Sequence, residues 1–93
     1  MNDTHELKTD HHPFEAIRMG YKNFEIRWDD RGFKMDDLLI LREWIPIDQA
    51  APGKAGGDYT GRSIHATVTY ILRAPKYGLT GKWCVMSINT RPK

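Results

Sequence analysis

The stretch Gly20-Tyr21-Lys22-Asn23-Phe24-Glu25-Ile26-Arg27 marks the point where a short helix ends and a strand begins. Glycine is the residue that most readily adopts the left-handed conformation found just after a helix. The residues that follow alternate between apolar and charged side chains, which is the period of a β-strand. From this alternation we predict that Phe24 and Ile26 point into the core. Glu25 and Arg27 would then point away from it.

On the N-terminal side of this junction, the sequence predicts a strand over residues 4–9 and a helix over residues 10–20. Phe14, Ile17 and Tyr21 follow the spacing of one apolar stripe along a helix. A helix this short is stable only when such a stripe is docked on the rest of the protein. We therefore expect the helix to lie against the following strands.

On the C-terminal side, alternating and continuous apolar runs predict four strands. They cover residues 23–28, 37–45, 63–72 and 82–88. In the third of these, Tyr70 falls on the apolar side of the alternation. Residues 46–61 are rich in proline, glycine and alanine and predict a long loop. Five short strands with a helix between the first and the second indicate an α+β fold, a small mixed β-barrel.

The bulk composition is that of one small globular domain over residues 1–93, with 40% hydrophobic and 28% charged residues. The single cysteine, Cys84, has no partner for an internal disulfide, which favours a reducing compartment. It lies in an apolar run, as a buried structural thiol would. No run approaches the roughly 18 apolar residues of a membrane span, and the N-terminus has no signal-peptide core. We expect a cytoplasmic protein without a membrane partner.

The charge is unevenly distributed along the chain. Residues 1–53 contain 7 Lys and Arg against 11 Asp and Glu, whereas residues 54–93 contain 7 against one. A basic half attracts phosphates through counterion release. The alternative interpretation is a basic face whose charge is balanced by the acidic half in the folded protein.

Three charged side chains, Lys22, Glu25 and Arg27, are concentrated at the helix-to-strand junction. We expect them to line a cleft between the helix and the outer face of the barrel, together with Lys8 of the first strand. The forked donors of arginine, the ammonium of lysine and a carboxylate suit the edge of a nucleobase. The alternative is a set of surface salt bridges, each contributing about 0–1 kcal/mol.

Outside the junction, Tyr59 and Arg62 are the residues most readily assigned to a ligand, since an aromatic ring and a guanidinium flank a glycine-rich loop. Four histidines occur, but His11 and His12 are adjacent and the others stand alone. No cysteine or carboxylate accompanies them at metal-ligand spacing. We therefore expect no metal and no cofactor.

The pattern Gly20-x-Lys22-x-x-Glu25-x-Arg27 resembles the signature of ASCH domains, which belong to the PUA-like β-barrel superfamily. The likeness extends over roughly residues 5–88, to a subgroup of small bacterial and phage proteins. It includes the run Tyr59-Thr60-Gly61-Arg62 before a strand. The resemblance implies a PUA-like barrel whose signature residues line a cleft that binds RNA or a modified nucleoside. It also implies a left-handed backbone at Asp36, where relatives usually have glycine.

One ASCH relative is an amidohydrolase that removes the acetyl group from N4-acetylcytidine with a lysine, a threonine and a distant glutamate. Its lysine corresponds to Lys22, and its threonine falls at Glu25. The resemblance thus implies Lys22 and Glu25 as the catalytic candidates if the chain is an enzyme. A neighbouring carboxylate stabilises the charged lysine, however, which opposes a role for Lys22 as a base.

We therefore expect an RNA- or nucleoside-binding module. Its candidate ligand-binding residues are Lys8, Gly20, Lys22, Glu25, Arg27, Tyr59 and Arg62. One alternative is a hydrolase acting on a modified nucleoside or RNA, either amidohydrolase-like or ribonuclease-like. In that case Lys22 would act as base or nucleophile and Glu25 would relay protons. A further alternative is a phage protein-binding module.

Overall fold

A computed structural model of the chain describes residues 2–46 and 57–91. Over these residues it contains β1 (Thr4–Asp10), α1 (His11–Arg18), β2 (Phe24–Trp28), β3 (Leu38–Ile45), β4 (Asp58–Arg73) and β5 (Trp83–Asn89). The predicted strands and the position of the helix between the first two are confirmed. Apart from the start of β4, their boundaries shift only slightly.

The strands form one sheet in the order β1-β3-β4-β5-β2, in which β1 and β3 are parallel and the other pairs antiparallel. The sheet curls into a half-barrel with β1 and β2 at its two edges. Its inner surface, together with α1 and the segment between β2 and β3, encloses a core of Leu7, Ile17, Phe33, Leu39, Leu41, Ala66, Val68, Cys84, Met86 and Ile88. α1 buries Phe14 and Ile17 and packs near β1 and β3.

α1 ends in a glycine turn that fixes where β2 begins. Gly20 has a φ of 84°, and its N–H donates to the carbonyl of Ile17 at 3.0 Å. The N–H of Tyr21 donates to the carbonyl of Ala16 at 2.9 Å. These two bonds form a Schellman motif, which ends a helix by satisfying its last carbonyls. The prediction that Tyr21 continues the apolar stripe is wrong: the helix has ended before it, and its ring is exposed.

The predicted orientation of β2 is also wrong. Phe24 and Ile26 are 40% and 52% exposed, whereas Glu25 is only 3% exposed. The reason lies in the register with β5, which sets Glu25 opposite Met86 and Arg27 opposite Cys84, both on the inner surface. Directly opposite residues of an antiparallel pair share a face. The charged side chains of β2 therefore point inward.

Two further corrections concern β4. The strand begins at Asp58, so the end of the predicted loop at residues 58–61 is not a loop: Tyr59 pairs with Trp44 across the ladder. Residues 47–56 of that loop lie outside the described part of the chain. An irregularity between Val68 and Tyr70 shifts the register against β5. Such a bulge changes which side chains face the core, so Tyr70 is exposed, contrary to prediction.

The expected left-handed residue is confirmed: Asp36 has a φ of 73°. Aspartate tolerates this conformation better than most side chains. Across the ranges described, no helix combines the length and the apolar character that a bilayer crossing requires.

Candidate functional site

The open side of the half-barrel, between β1 and β2, is bridged by a side chain. The guanidinium of Arg27 on β2 donates from Nη1 to the carbonyl of Lys8 at 3.1 Å. Its Nη2 donates to the hydroxyl of Thr9 at 3.2 Å. Because the planar guanidinium has a rigid fork of donors, Arg27 holds the two edge strands at a set separation. We call this junction of β1 and β2, at Lys8, Thr9 and Arg27, the seam.

A buried carboxylate orients the cations beside the seam. Glu25 accepts from Nζ of Lys22 at 2.9 Å through one oxygen and from Nε of Arg27 at 2.7 Å through the other. Nζ of Lys22 also donates to the carbonyl of Phe24 at 2.6 Å. A buried carboxylate needs such partners to offset its desolvation. The ion pairs of the alternative interpretation are thus present, but they centre on a buried acid instead of lying on the surface.

These side chains line a pocket of about 360 Å³ at the seam. Its walls are formed by Lys8, Thr9, Asp10, Pro13, Lys22, Phe24, Glu25, Ile26 and Arg27. The volume falls within the range of small-ligand sites. The walls combine cations, two carboxylates and apolar surface, so the pocket can hold a group that is flat and apolar on its faces and polar at its edge.

The structure brings together Lys8, Lys22, Glu25 and Arg27, the four predicted site residues of the cleft. The predicted cleft lay between the helix and the outer face of the barrel, and that placement is wrong. The pocket opens at the seam because Glu25 and Arg27 point inward. Gly20 lines a neighbouring cavity of about 210 Å³, which shares Lys22 with the pocket.

Sequence reasoning missed Thr9, Asp10 and Pro13 as pocket residues, along with the apolar wall of Phe24 and Ile26. A signal existed for Thr9. It lies two residues after Leu7 in the alternation of β1, which places both side chains on the inner face.

Arg62, a predicted ligand-binding residue, lies elsewhere, in a second charged cluster around Glu43. Glu43 is 2% exposed and accepts from Nε and Nη2 of Arg62 at 2.8 and 2.9 Å. It also accepts from the hydroxyl of Thr60 at 2.5 Å and lies 2.6 Å from Nδ1 of His11. Arg62 reaches on to Glu15 of α1. The side chains of this cluster join α1 to β3 and β4.

The cluster shifts the ionisation of its members. The hydrogen bonds from Arg62 lower the pKa of Glu43 to about 2, helped by Thr60 and His11 and opposed by burial. Arg18 and Arg62 lower the pKa of Glu15 to about 2. The contacts with Glu43 and Glu15 raise the pKa of Arg62 above its usual value. Arg62 is thus committed to two carboxylates.

Tyr59, also predicted to bind a ligand, lies on the outer face of the sheet. Its ring meets Trp44 edge to face, with centroids 4.8 Å apart, and the guanidinium of Arg42 lies 3.9 Å from its centroid. Nζ of Lys8 lies 4.5 Å from the Trp44 ring. Cations over ring faces are attracted by the ring quadrupole. These rings therefore already have partners within the protein.

Within the described residues, Asp3, His5 and Asp37 place ligand atoms close enough together to hold a metal ion. Asp37 accepts from the N–H groups of Asp3 and Lys34 and from Nε2 of His5, each at 2.9 Å. Burial works to raise the pKa of Asp37, but these hydrogen bonds hold it below its usual value. Since protein donors already satisfy this carboxylate, the group acts as a structural clamp.

Comparison with known proteins relates the chain to a phage protein and to a protein family. It is 33% identical over 69 residues to the "Uncharacterized 12.9 kDa protein in GpA 3'region" of Escherichia phage P2. That match covers 74% of this chain and 54% of the phage protein, so the chain matches about half of that relative's length. The profile of a family described as "Domain of unknown function (DUF3850)" matches residues 4–88. The chain therefore belongs to the DUF3850 family.

Proposed function

We propose that this protein is an RNA- or nucleoside-binding module of the ASCH type, with a PUA-like barrel, and that the seam pocket is its binding site. The observation that carries the proposal is the arrangement of Lys22 and Arg27 around buried Glu25 in a pocket of about 360 Å³. A fixed pair of cations on a buried carboxylate is preorganised, so little ordering remains to be done on binding.

The donors left over in the pocket match the acceptors of a nucleobase. An ammonium has three N–H groups and a guanidinium five. Lys22 uses two of its donors within the described protein and Arg27 uses three. The remaining N–H groups are those we assign to base or phosphate oxygens. Glu25 then acts by positioning the cations, since both of its oxygens already accept bonds.

The other walls support a base over a bare phosphate. Phe24, Ile26 and Pro13 supply apolar surface for the flat faces of a base. Asp10 makes no side-chain hydrogen bond to the start of α1, so its carboxylate is available to accept from an exocyclic amine. Bases combine donors and acceptors at their edges, whereas a phosphate offers acceptors alone.

The proposal is tested by titrating the protein with the four ribonucleosides and their 5′-monophosphates by calorimetry. Arg27→Ala should weaken binding by about tenfold or more, as expected for losing one bidentate pair. The control is Arg73→Ala, which removes an arginine bonded to Asp29 and to the Phe33 carbonyl, outside the pocket. Equal and negligible effects of the two substitutions would contradict the proposal.

A hydrolase acting on a modified nucleoside is the second candidate, and the pocket favours it because both catalytic candidates, Lys22 and Glu25, line its wall. Their 2.9 Å ion pair stabilises the charged lysine, so Lys22 would have to leave that contact to act as a base. The protein would be incubated with N4-acetylcytidine and with a short RNA, and the products analysed by mass spectrometry. Deacetylated or cleaved products that disappear in Lys22→Met would establish the enzyme. Unchanged substrates that nevertheless bind would establish the binding module.

A further inference from the structure

The outer face of β2 and β5 carries a row of apolar side chains, four of which are exposed. The register pairs Ile26 with Val85 and Trp28 with Trp83, so these residues share the outward face with Phe24. We call these five residues the β2–β5 outer face. Over five residues of strand, the row from Phe24 to Trp28 is about 13 Å long.

Two tryptophans at one end of this face have rings open to solvent. Trp28 and Trp83 are 46% and 41% exposed. Their centroids are 5.5 Å apart with planes at 89°, an edge-to-face contact. The contrast is with Trp44 and Tyr59, whose rings lie beside Lys8 and Arg42. Among the described residues, no lysine or arginine side chain lies over the ring of Trp28 or Trp83 in this way.

Positive charge flanks both ends of the face. Nζ of Lys22 lies 4.8 Å from the Phe24 ring centroid at one end, and Lys82 directly precedes Trp83 at the other. Asp29 and Asp30 follow Trp28, and each has an arginine beside its carboxylate: Arg73 lies 3.2 Å from Asp29 and Arg31 lies 3.8 Å from Asp30. An aromatic row flanked by cations is complementary to stacked bases on a phosphate backbone.

We propose that the β2–β5 outer face binds single-stranded nucleic acid, with bases stacking on Trp28 and Trp83 and phosphates meeting Lys22 and Lys82. This inference rests on the proposed function, which it extends from a single base to a strand. Phe24 and Ile26 line the pocket and also belong to this face, so a strand with one base in the pocket continues directly onto it. The exposed rings favour separated bases over a duplex, whose bases are stacked on one another.

The test uses a single-stranded RNA decamer, the corresponding duplex and the ribonucleoside monophosphates as probes. The decamer should bind at least about tenfold more tightly than any monophosphate and than the duplex. The double substitution Trp28→Leu with Trp83→Leu should weaken decamer binding by about tenfold or more and leave monophosphate binding unchanged. Lys82→Glu, which leaves both rings in place, should weaken decamer binding severalfold. This variant tests the inference if the double variant fails to fold.

Tryptophan fluorescence supplies a matched control. In Trp44→Phe the emission comes from Trp28 and Trp83 and should be quenched by the decamer. In the double variant it comes from Trp44 and should not change on addition of RNA.

The outcomes separate this inference from the pocket's function. If neither the double substitution nor Lys82→Glu affects decamer binding, the inference about the outer face is overturned. The proposed function of the pocket still stands in that case if the protein binds monophosphates. If the double variant loses decamer binding and the parent protein does not bind monophosphates, the β2–β5 outer face is supported as a binding surface. The same result overturns the proposed function of the pocket. Sedimentation showing a dimer that the double variant dissolves would make the face an interface between two copies of the chain and overturn the inference.

Discussion

Glu25 and Glu43 are two carboxylates buried on the inner surface of the same sheet, and their surroundings give them different roles. Glu43 is surrounded by Arg62, Thr60 and His11, and its network lies outside the seam pocket. Glu25 holds Lys22 and Arg27, which line the seam pocket and retain donors beyond those bonded within the described residues. Glu43 therefore stabilises the fold, whereas under the proposed function Glu25 positions the two cations that meet the ligand.

The lowered pKa of Glu43 predicts acid sensitivity. Its usual value of 4.5 falls to about 2 in the folded protein. A depressed pKa contributes stability above the unfolded value and loses it as pH falls toward the folded value. Glu43→Gln should therefore lower the free energy of unfolding at pH 7 by about 2 kcal/mol, allowing for screening at half-exposed Arg62.

The measurement is urea unfolding between pH 7 and pH 2. The deficit of Glu43→Gln should shrink between about pH 4.5 and pH 2, the window set by the two pKa values. Glu6→Gln, an exposed site on β1, is the control and should track the parent protein. A deficit that stays constant over this range would contradict the prediction.

The burial of Glu25 could not be predicted from its sequence context. Alternation divides Phe24, Ile26 and Trp28 from Glu25 and Arg27, but it does not say which set faces inward. Because burial of apolar surface stabilises a folded protein, the apolar set is the one expected to face the core. β2 adopts the opposite arrangement because inward Glu25 and Arg27 complete the seam, where Lys22, Lys8 and Thr9 supply their partners. Those partners come from other elements, so their effect is invisible in the local pattern.

At the scale of elements, the edge strands depend on each other through side chains. A bare strand edge presents unpaired carbonyls and N–H groups. Arg27 donates to the carbonyl of Lys8, and Arg31 donates to the carbonyl of Glu6 at 2.8 Å. Two guanidinium groups thus cover the carbonyls of β1 that a neighbouring strand would otherwise pair.

Removing one of these bridges should loosen β1. We expect Arg31→Met to speed amide hydrogen exchange severalfold over residues 4–10, because a strand with fewer bonds on one edge opens more often. Exchange over residues 83–89 should not change. Arg18→Met, which removes an arginine bonded to Glu15 on α1, is the control. Exchange is measured by mass spectrometry. Equal exchange rates in β1 of Arg31→Met and Arg18→Met would contradict the prediction.

Element positions were largely predictable, because their signals are local. The helix ends where Gly20 allows a left-handed turn, and Asp36 adopts the positive φ expected from the ASCH resemblance. The register against neighbouring strands was not predictable. The irregularity between Val68 and Tyr70 and the pairing of Tyr59 with Trp44 depend on contacts across the sheet. Four of the pocket's residues were found from the spacing of charges, and their true location required the register.

At the scale of the whole molecule, Cys84 reports on the integrity of the core. Its side chain is fully buried among the core residues, and burial raises the pKa of its thiol. Because the thiolate is the reactive form, a buried thiol with a raised pKa reacts slowly. The inner surface of the half-barrel thus carries a natural probe of opening.

We expect a thiol reagent to label the native protein only through unfolding. Its labelling rate should rise with urea in parallel with the unfolded fraction measured by circular dichroism. Glu43→Gln should label faster than the parent protein at neutral pH, because its folded state is less stable. Rapid labelling of the parent protein without denaturant would show that the half-barrel opens locally beside Cys84.

The guanidinium of Arg27 divides its donors between two parts of the protein: Nε donates to Glu25, and each Nη atom donates to the first strand. Each Nη atom carries two N–H groups, and the first strand uses one of each. A ligand of the proposed site can therefore accept from the second N–H while the strand stays attached. Since both contacts need the same orientation of the guanidinium, attachment of the first strand and ligand binding should favour each other. By reciprocal linkage, a substitution that frees the first strand should also lower the affinity of the pocket.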